Sequence, residues 1–221
     1  MRNSFLSVLI SFLYLSWQPP VVHVLFFGDS ITELGMRPGG FIPRIDSLAE
    51  RDGLSGRFIC SGAGIGGNKI YDLYLRLEQD VLEKKPDVVV IYIGVNDVWH
   101  KTLLGTGTDP DKFERFYAAI LQKLQDRGIR AVLCTPAVVG ERNDMSNPLD
   151  GDLNRYSALI RGLASRFQVP LVDLRRIFLD HLVRNNPDNR EKDVLTYDRV
   201  HMNAAGNQLI AASIWEVIKR L

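Results

Sequence analysis

The chain is poor in cysteine, with two in 221 residues. Cys60 and Cys134 form no C-x-x-C pair and join no Cys/His cluster with metal-ligand spacing, which argues against a zinc site. Each closes an apolar run, where a buried free thiol is the simpler reading. An excess of charge is missing too: 27 basic side chains against 26 acidic ones leave a net charge of +1. With no basic run or stripe, nucleic acid is not an expected partner. The longest uncharged and mostly apolar run, residues 5–17, is shorter than the roughly 18 residues of a membrane-spanning helix, and stable membrane insertion of the domain that follows is not expected either. No internal repeat, low-complexity tract or clear linker divides the chain.

What is present is 46% hydrophobic content. That suits one globular domain with a substantial core rather than two, and residues 21–221 are expected to form it. Residues 1–20 stand apart. FLSVLISFLYLSW, residues 5–17, follows Arg2 as an uncharged, mostly apolar run. It resembles the core of a secretory signal peptide, yet no small-x-small cleavage site follows it. Export to a periplasm or the exterior is the favoured expectation. An N-terminal extension on a cytoplasmic protein is the other. No feature of the sequence reports an oligomeric state.

Five apolar, β-rich runs follow: Val21–Phe27, Arg57–Cys60, Asp87–Ile93, Ile129–Thr135 and Val169–Val172. Amphipathic helical patterns separate them. Phe113, Phe116, Tyr117, Ile120, Leu121 and Leu124 form one apolar stripe at helical spacing. Asp109 is the expected N-cap of that helix, with Pro110 at its first position and Gly128 past its end. Leu153, Tyr156, Leu159, Ile160, Leu163 and Phe167 form a second stripe, and Leu73, Tyr74, Leu77 and Val81 a shorter third. A last helix is expected from Ala204 to near Arg220, capped by Asn203. Asn185–Asp193 reads as a loop, either a lid or a solvated connection.

Strands alternating with helices predict an α/β fold: a five-stranded, mostly parallel sheet in a three-layer α/β/α arrangement with right-handed crossovers. Such a sheet places its ligand outside the carboxyl ends of its strands. Polar motifs are therefore judged by whether they follow a strand.

Gly62, Gly64 and Gly67 have the G-x-G-x-x-G spacing of a dinucleotide turn. They follow the second run rather than the first, and no acidic residue ends the next strand about 20 residues on. Both contexts fail. Glycine also lets a ligand approach the backbone, and a glycine-rich turn presents N–H groups to an anion. That anion could be the oxyanion of acyl transfer.

The first strand ends FFGDSIT, which puts Ser30 at the ligand edge. For an isolated serine there, capping the following segment is the better reading. The segment is not G-x-S-x-G, because Thr32 stands at the second glycine, and an α/β-hydrolase elbow is disfavoured. A nucleophilic serine needs a base. His23 lies inside the first strand, His181 in a helix, and His100 follows the third strand and could line a pocket. His201 lies in YDRVHMNAAG with Asp198 three residues before it, close enough to hold the imidazole tautomer. An Asp–His pair bridging a surface turn is the plainer alternative. Asn96 ends the third strand, where its amide could enter the same crevice or close its own turn.

Together these blocks resemble the GDSL-type (SGNH) hydrolase family of serine esterases and lipases. The likeness runs from about Val21 to the end of the chain. Its first block stands as Gly28-Asp29-Ser30, with Ile31 where leucine is common. The second, usually N-x-G-x-x-G, stands as Gly62-Ala63-Gly64-Ile65-Gly66-Gly67, with Gly62 in place of asparagine. Gly94-Val95-Asn96-Asp97 and Asp198-Arg199-Val200-His201 are intact.

The resemblance implies a flavodoxin-like SGNH fold and an acyl-enzyme mechanism. In it Ser30 is the nucleophile, His201 the base and Asp198 its orienter. The N–H groups of Ser30 and Gly67 and the Asn96 amide form the oxyanion hole. It implies no metal or organic cofactor. Asp29 and Asp97 are expected to brace their turns. Met36, Phe41 and Trp99 lie near the motifs and could border an acyl or alcohol pocket. With no large apolar insertion to act as a lid, the expected partner is a small-molecule ester, such as an acetylated carbohydrate. Lysophospholipid or thioester hydrolysis, or a noncatalytic carbohydrate- or lipid-binding role, are the alternatives.

Overall fold

The computed structural model describes residues 20–221. The expected leader or extension at 1–20, apart from its last residue, lies outside them. Among the described residues, no helix is long and apolar enough to cross a membrane.

The first strand, β1 (Val22–Gly28), leads into a short helix, α1 (Ser30–Gly35), and then α2 (Phe41–Arg51). The second strand, β2 (Phe58–Gly64), is followed by α3 (Ile70–Leu77), which continues into a π-turn at Glu78–Leu82. Next come β3 (Val88–Tyr92), α4 (Val95–Leu104), α5 (Pro110–Asp126) and β4 (Arg130–Cys134). The chain closes with α6 (Asp150–Phe167), β5 (Leu171–Val172), α7 (Leu174–Asn185) and α8 (Ala204–Ile218).

All strand pairs are parallel, in the order β2-β1-β3-β4-β5. This is the flavodoxin-like order, and the five runs read from the sequence are its five strands. Every residue of β3 is buried. Such a continuous apolar run marks a strand covered by helices on both faces. The chain steps one way from β1 to β2 and the other way from β2 through β3 and β4 to β5, so right-handed crossovers put α2 on one face of the sheet and α3, α5 and α6 on the other. The helices α2 and α8 pack together on one face, and α3, α5 and α6 adjoin in series on the other.

The α5 stripe buries Phe113, Tyr117, Ile120, Leu121 and Leu124. Burial of each such side chain contributes about 1.5–3 kcal/mol, far more than the helix propensity of any one residue. Asp109 occupies the N-cap position but its carboxylate does not cap. It turns instead to Lys101 at 3.2 Å and Lys112 at 3.6 Å. Asn203 does cap α8, accepting from the N–H groups of Ala205 and Gly206.

The second strand is longer than its apolar run. It continues through Gly62 and Gly64, which lie in the strand rather than in a turn. A Cβ at Gly64 would stand 2.2 Å from the Glu33 nitrogen, and one at Gly62 would stand 2.2 Å from the Met36 sulfur. These glycines let α1 and the residues after it lie directly on β2. Only Gly67 of the three has a left-handed backbone, with φ +76°.

The Asn185–Asp193 segment is largely an exposed loop, as its sequence suggests, but it is pinned at its start. Asn186 is fully buried. Its side chain donates to the carbonyls of Glu141 and Arg190 and accepts the Arg190 N–H, pinning the segment at its start.

Candidate active site

At the β1–β3 junction the chain leaves the sheet in opposite directions. A crevice opens there at the carboxyl ends of the strands. Ser30 follows β1 and Asn96 follows β3, so the topology alone brings them to one place. Asp29 accepts the Ile31 N–H at 2.9 Å and starts α1 just after the strand. Ser30 is thereby held in the first helical turn, where backbone N–H groups have no partner within the helix.

His201 reaches Ser30 from the far end of the chain, 171 residues away, with Nε2 at 2.9 Å from Oγ. Asp198 stands on its other side, with Oδ2 at 2.6 Å from Nδ1. Desolvation pushes the Asp198 carboxyl up, but hydrogen bonds from the His201 side chain and from the His201 and Val200 N–H groups outweigh it. The net shift is downward, so Asp198 stays ionised beside the imidazole.

The loop after β2 faces this pair. A Cβ on Gly66 would lie 3.9 Å from that of Ser30. Glu33, on the helix that begins with Ser30, accepts the Gly66 N–H at 2.7 Å. Arg76 ties the loop from beneath. Its guanidinium donates to Asn68 Oδ1 at 2.8 Å and to the carbonyls of Gly28 and Ala63 at 2.8 and 2.9 Å. These contacts brace the loop without the asparagine that Gly62 replaces. Met36 occupies the space that a side chain at position 62 would take. Among the described residues, the Gly67 N–H donates to no protein group. Asn96 is buried and donates one amide hydrogen to the Asn68 carbonyl at 3.1 Å, leaving the other free.

Asp97 lies under the same loop, fully buried, and accepts the Ile70 N–H at 3.1 Å. Burial raises both Asp97 and Asp29 to about 7. Both carboxylates brace turns. His100 borders the loop, with Cε1 3.8 Å from where a Cβ on Gly67 would stand. Of the three residues expected near an acyl pocket, Phe41 is fully buried and packs edge-on against Phe26. It belongs to the core. Met36 is half-exposed over Gly62, and Trp99 is partly buried beside His100.

Two residues went unnoticed in the sequence. Glu141, just after β4, is completely buried. It accepts the N–H groups of Val194 at 2.8 Å, Leu195 at 2.7 Å and Thr196, and so anchors the loop that carries Asp198 and His201. No local pattern announces such a role, because its partners lie more than fifty residues away. Tyr197 stacks beside His201, with ring centroids 5.9 Å apart and planes at 20°. Its place directly before Asp198 was the one available signal.

The arrangement offers a hydroxyl next to an imidazole, a carboxylate behind that imidazole, and free N–H donors across the crevice. Residues 26–209 match the GDSL-like lipase/acylhydrolase family. An acetylxylan esterase of Geobacillus stearothermophilus is 30% identical over 205 residues, covering 85% of this chain and 90% of that protein. Among solved structures, the acetyl xylan esterase AlAXEase is 53% identical with a TM-score of 0.87, covering 89% of this chain and all of the other. A catalytic mutant of an acetylxylan esterase from Geobacillus stearothermophilus is 26% identical with a TM-score of 0.78, over 89% and 94% of the two chains. Catalytic mutants solved for that enzyme replace a serine, a histidine or an aspartate by alanine. With its family match running from β1 into α8, the chain belongs to the GDSL-like lipase/acylhydrolase family.

Proposed function

We propose that the protein is a serine esterase that removes acetyl groups from acetylated carbohydrates. Ser30 Oγ attacks the ester carbonyl while His201 Nε2 takes its proton. Asp198 holds the imidazole tautomer and stabilises the imidazolium. The N–H groups of Ser30 and Gly67 and the free Asn96 amide hydrogen receive the developing oxyanion. As the carbonyl re-forms, the C–O bond to the sugar breaks, and His201 returns its proton to the leaving hydroxyl. Water, deprotonated by the same histidine, then attacks the acyl carbonyl; the bond to Ser30 Oγ breaks, acetate leaves, and His201 returns the proton to Ser30.

The observation that carries this reading is the continuous contact from Ser30 Oγ to His201 at 2.9 Å and on to Asp198 at 2.6 Å. The acetylated-carbohydrate substrate is supported by the acetylxylan esterases that this chain resembles over most of its length. Export is part of the reading, supported by the uncharged run at residues 5–17. N-terminal sequencing of protein from its native host tests it.

Acetate release from acetylated xylo-oligosaccharides and from p-nitrophenyl acetate tests the chemistry. Ser30→Ala should lower both rates by about 10⁴ or more with the fold unchanged. Undiminished hydrolysis by that variant would overturn the assignment.

A further inference from the structure

The acetyl group needs only the crevice beside Ser30, yet two further clefts adjoin it. One, of about 390 Å³, is lined by Arg37, Gly39, Asn203 and Asn207. The other, of about 570 Å³, is lined by Arg190, Lys192, Asp193 and Arg199 and reaches Asp198. Each is in the size range that holds a small ligand. Both are open and rich in groups that hydrogen-bond hydroxyls. One residue lines both: Tyr197.

Tyr197 is 49% exposed, although the chain around it is firmly held. Its N–H donates to the His201 carbonyl at 3.0 Å. Thr196 is tied to Glu141 and bridges to Met202. The ring therefore stands on a held backbone as a ridge between two clefts that carry polar and charged side chains, in stacking contact with His201. An isolated exposed aromatic calls for no explanation, but among the described residues this one occupies the only wall that the clefts share.

We propose that Tyr197 is the platform for a sugar ring, and that the substrate is an extended acetylated oligosaccharide crossing this ridge from one cleft to the other. The inference rests on the esterase reading above. A pyranose has an apolar C–H face and a hydroxyl-bearing rim. The negative face of an aromatic ring attracts the C–H face, while Arg37 on one side and Lys192 and Asp193 on the other meet the rim of neighbouring sugars. A ring fixed in the loop before Asp198 costs little ordering on binding. It would select the glycosyl part of the substrate and leave the acyl chemistry untouched.

The test compares two substrates across three variants. Wild type, Tyr197→Ala, Tyr197→Leu and Tyr197→Phe are assayed on p-nitrophenyl acetate and on an acetylated xylotetraose. The leucine variant retains bulk without a flat ring face. Both the alanine and leucine variants should lose about tenfold more in kcat/KM on the oligosaccharide than on p-nitrophenyl acetate, with the extra loss mostly in KM. The phenylalanine variant should behave as wild type on both. Retained p-nitrophenyl acetate turnover also reports that each variant is folded.

Equal losses on the two substrates would overturn the proposal, assigning Tyr197 to support of His201 alone. No loss on either would overturn it as well. A wild-type protein that cleaves p-nitrophenyl acetate but not the oligosaccharide would defeat the carbohydrate reading and the platform with it. Wild-type cleavage of both with unaffected variants would defeat the platform only.

Discussion

Asp198 holds His201 at two points: Oδ2 lies 2.6 Å from the imidazole Nδ1, and Oδ1 accepts the His201 backbone N–H at 2.7 Å. The same Oδ1 also accepts the Val200 N–H at 3.0 Å. One carboxylate thus sets both the turn and the ring orientation. Asp198→Asn keeps the shape but can present an N–H to Nδ1, which favours the wrong tautomer. We expect kcat on p-nitrophenyl acetate to fall by about 10³–10⁴ with little change in thermal stability. A loss under tenfold would remove Asp198 from the proposed mechanism.

Asn96 has one amide hydrogen committed to the Asn68 carbonyl and one free. Asn96→Ala should cost about 10²–10³ in kcat, the usual effect of removing one oxyanion donor. KM for a small acetyl ester should move much less, because the donor acts most strongly on charge that develops in the transition state. A change confined to KM would contradict the role.

Glu141 satisfies three backbone N–H groups on the loop that carries the Asp198–His201 pair. Glu141→Ala leaves those donors buried and without partners. Urea denaturation should register a loss of about 3 kcal/mol or more. Activity in the surviving folded fraction should fall as well, because the histidine is no longer aimed. A variant as stable as the parent would mean that water or a rearranged loop replaces the carboxylate.

The Asp97 carboxyl is raised by burial from 3.8 to about 7. The folded state therefore holds its proton where the unfolded chain has lost it. For a raised carboxyl, this contribution to stability is fully present below about pH 4 and is lost as the pH rises through about 7. Asp97→Asn retains an acceptor for the Ile70 N–H and carries no charge. Its unfolding free energy, relative to wild type, should rise by a few kcal/mol or less between pH 5 and pH 8. A constant difference across that range would show that Asp97 does not titrate there.

Much of this protein was legible in the sequence, for a local reason. Hydrophobic periodicity depends on neighbours within a few residues, so β1, β3, β4, α5 and α6 could be read directly. Ser30, Asn96, Asp198 and His201 stood out because each follows a strand or precedes a helix. Misreadings came where a distant partner decides. Gly62 and Gly64 looked like turn glycines, but α1 pressing on β2 makes them strand residues. Asp109 is the N-cap residue that the spacing indicated, but Lys101 and Lys112 draw its carboxylate away from the helix end. Asn185–Asp193 is the exposed loop its composition suggested, and only its anchoring to Glu141 through the buried Asn186 could not be read locally.

Alternating apolar runs determined the elements, their parallel pairing and the edge at which the chemistry sits, since each follows from residue spacing and chain chirality. Only the tertiary structure decided that His201 meets Ser30 across 171 residues, that Glu141 anchors the loop holding that histidine, and that Tyr197 stands between two clefts. Those contacts depend on where separate elements come to rest against one another, and buried carboxylates and stacked rings choose partners by proximity in space, which no local spacing encodes.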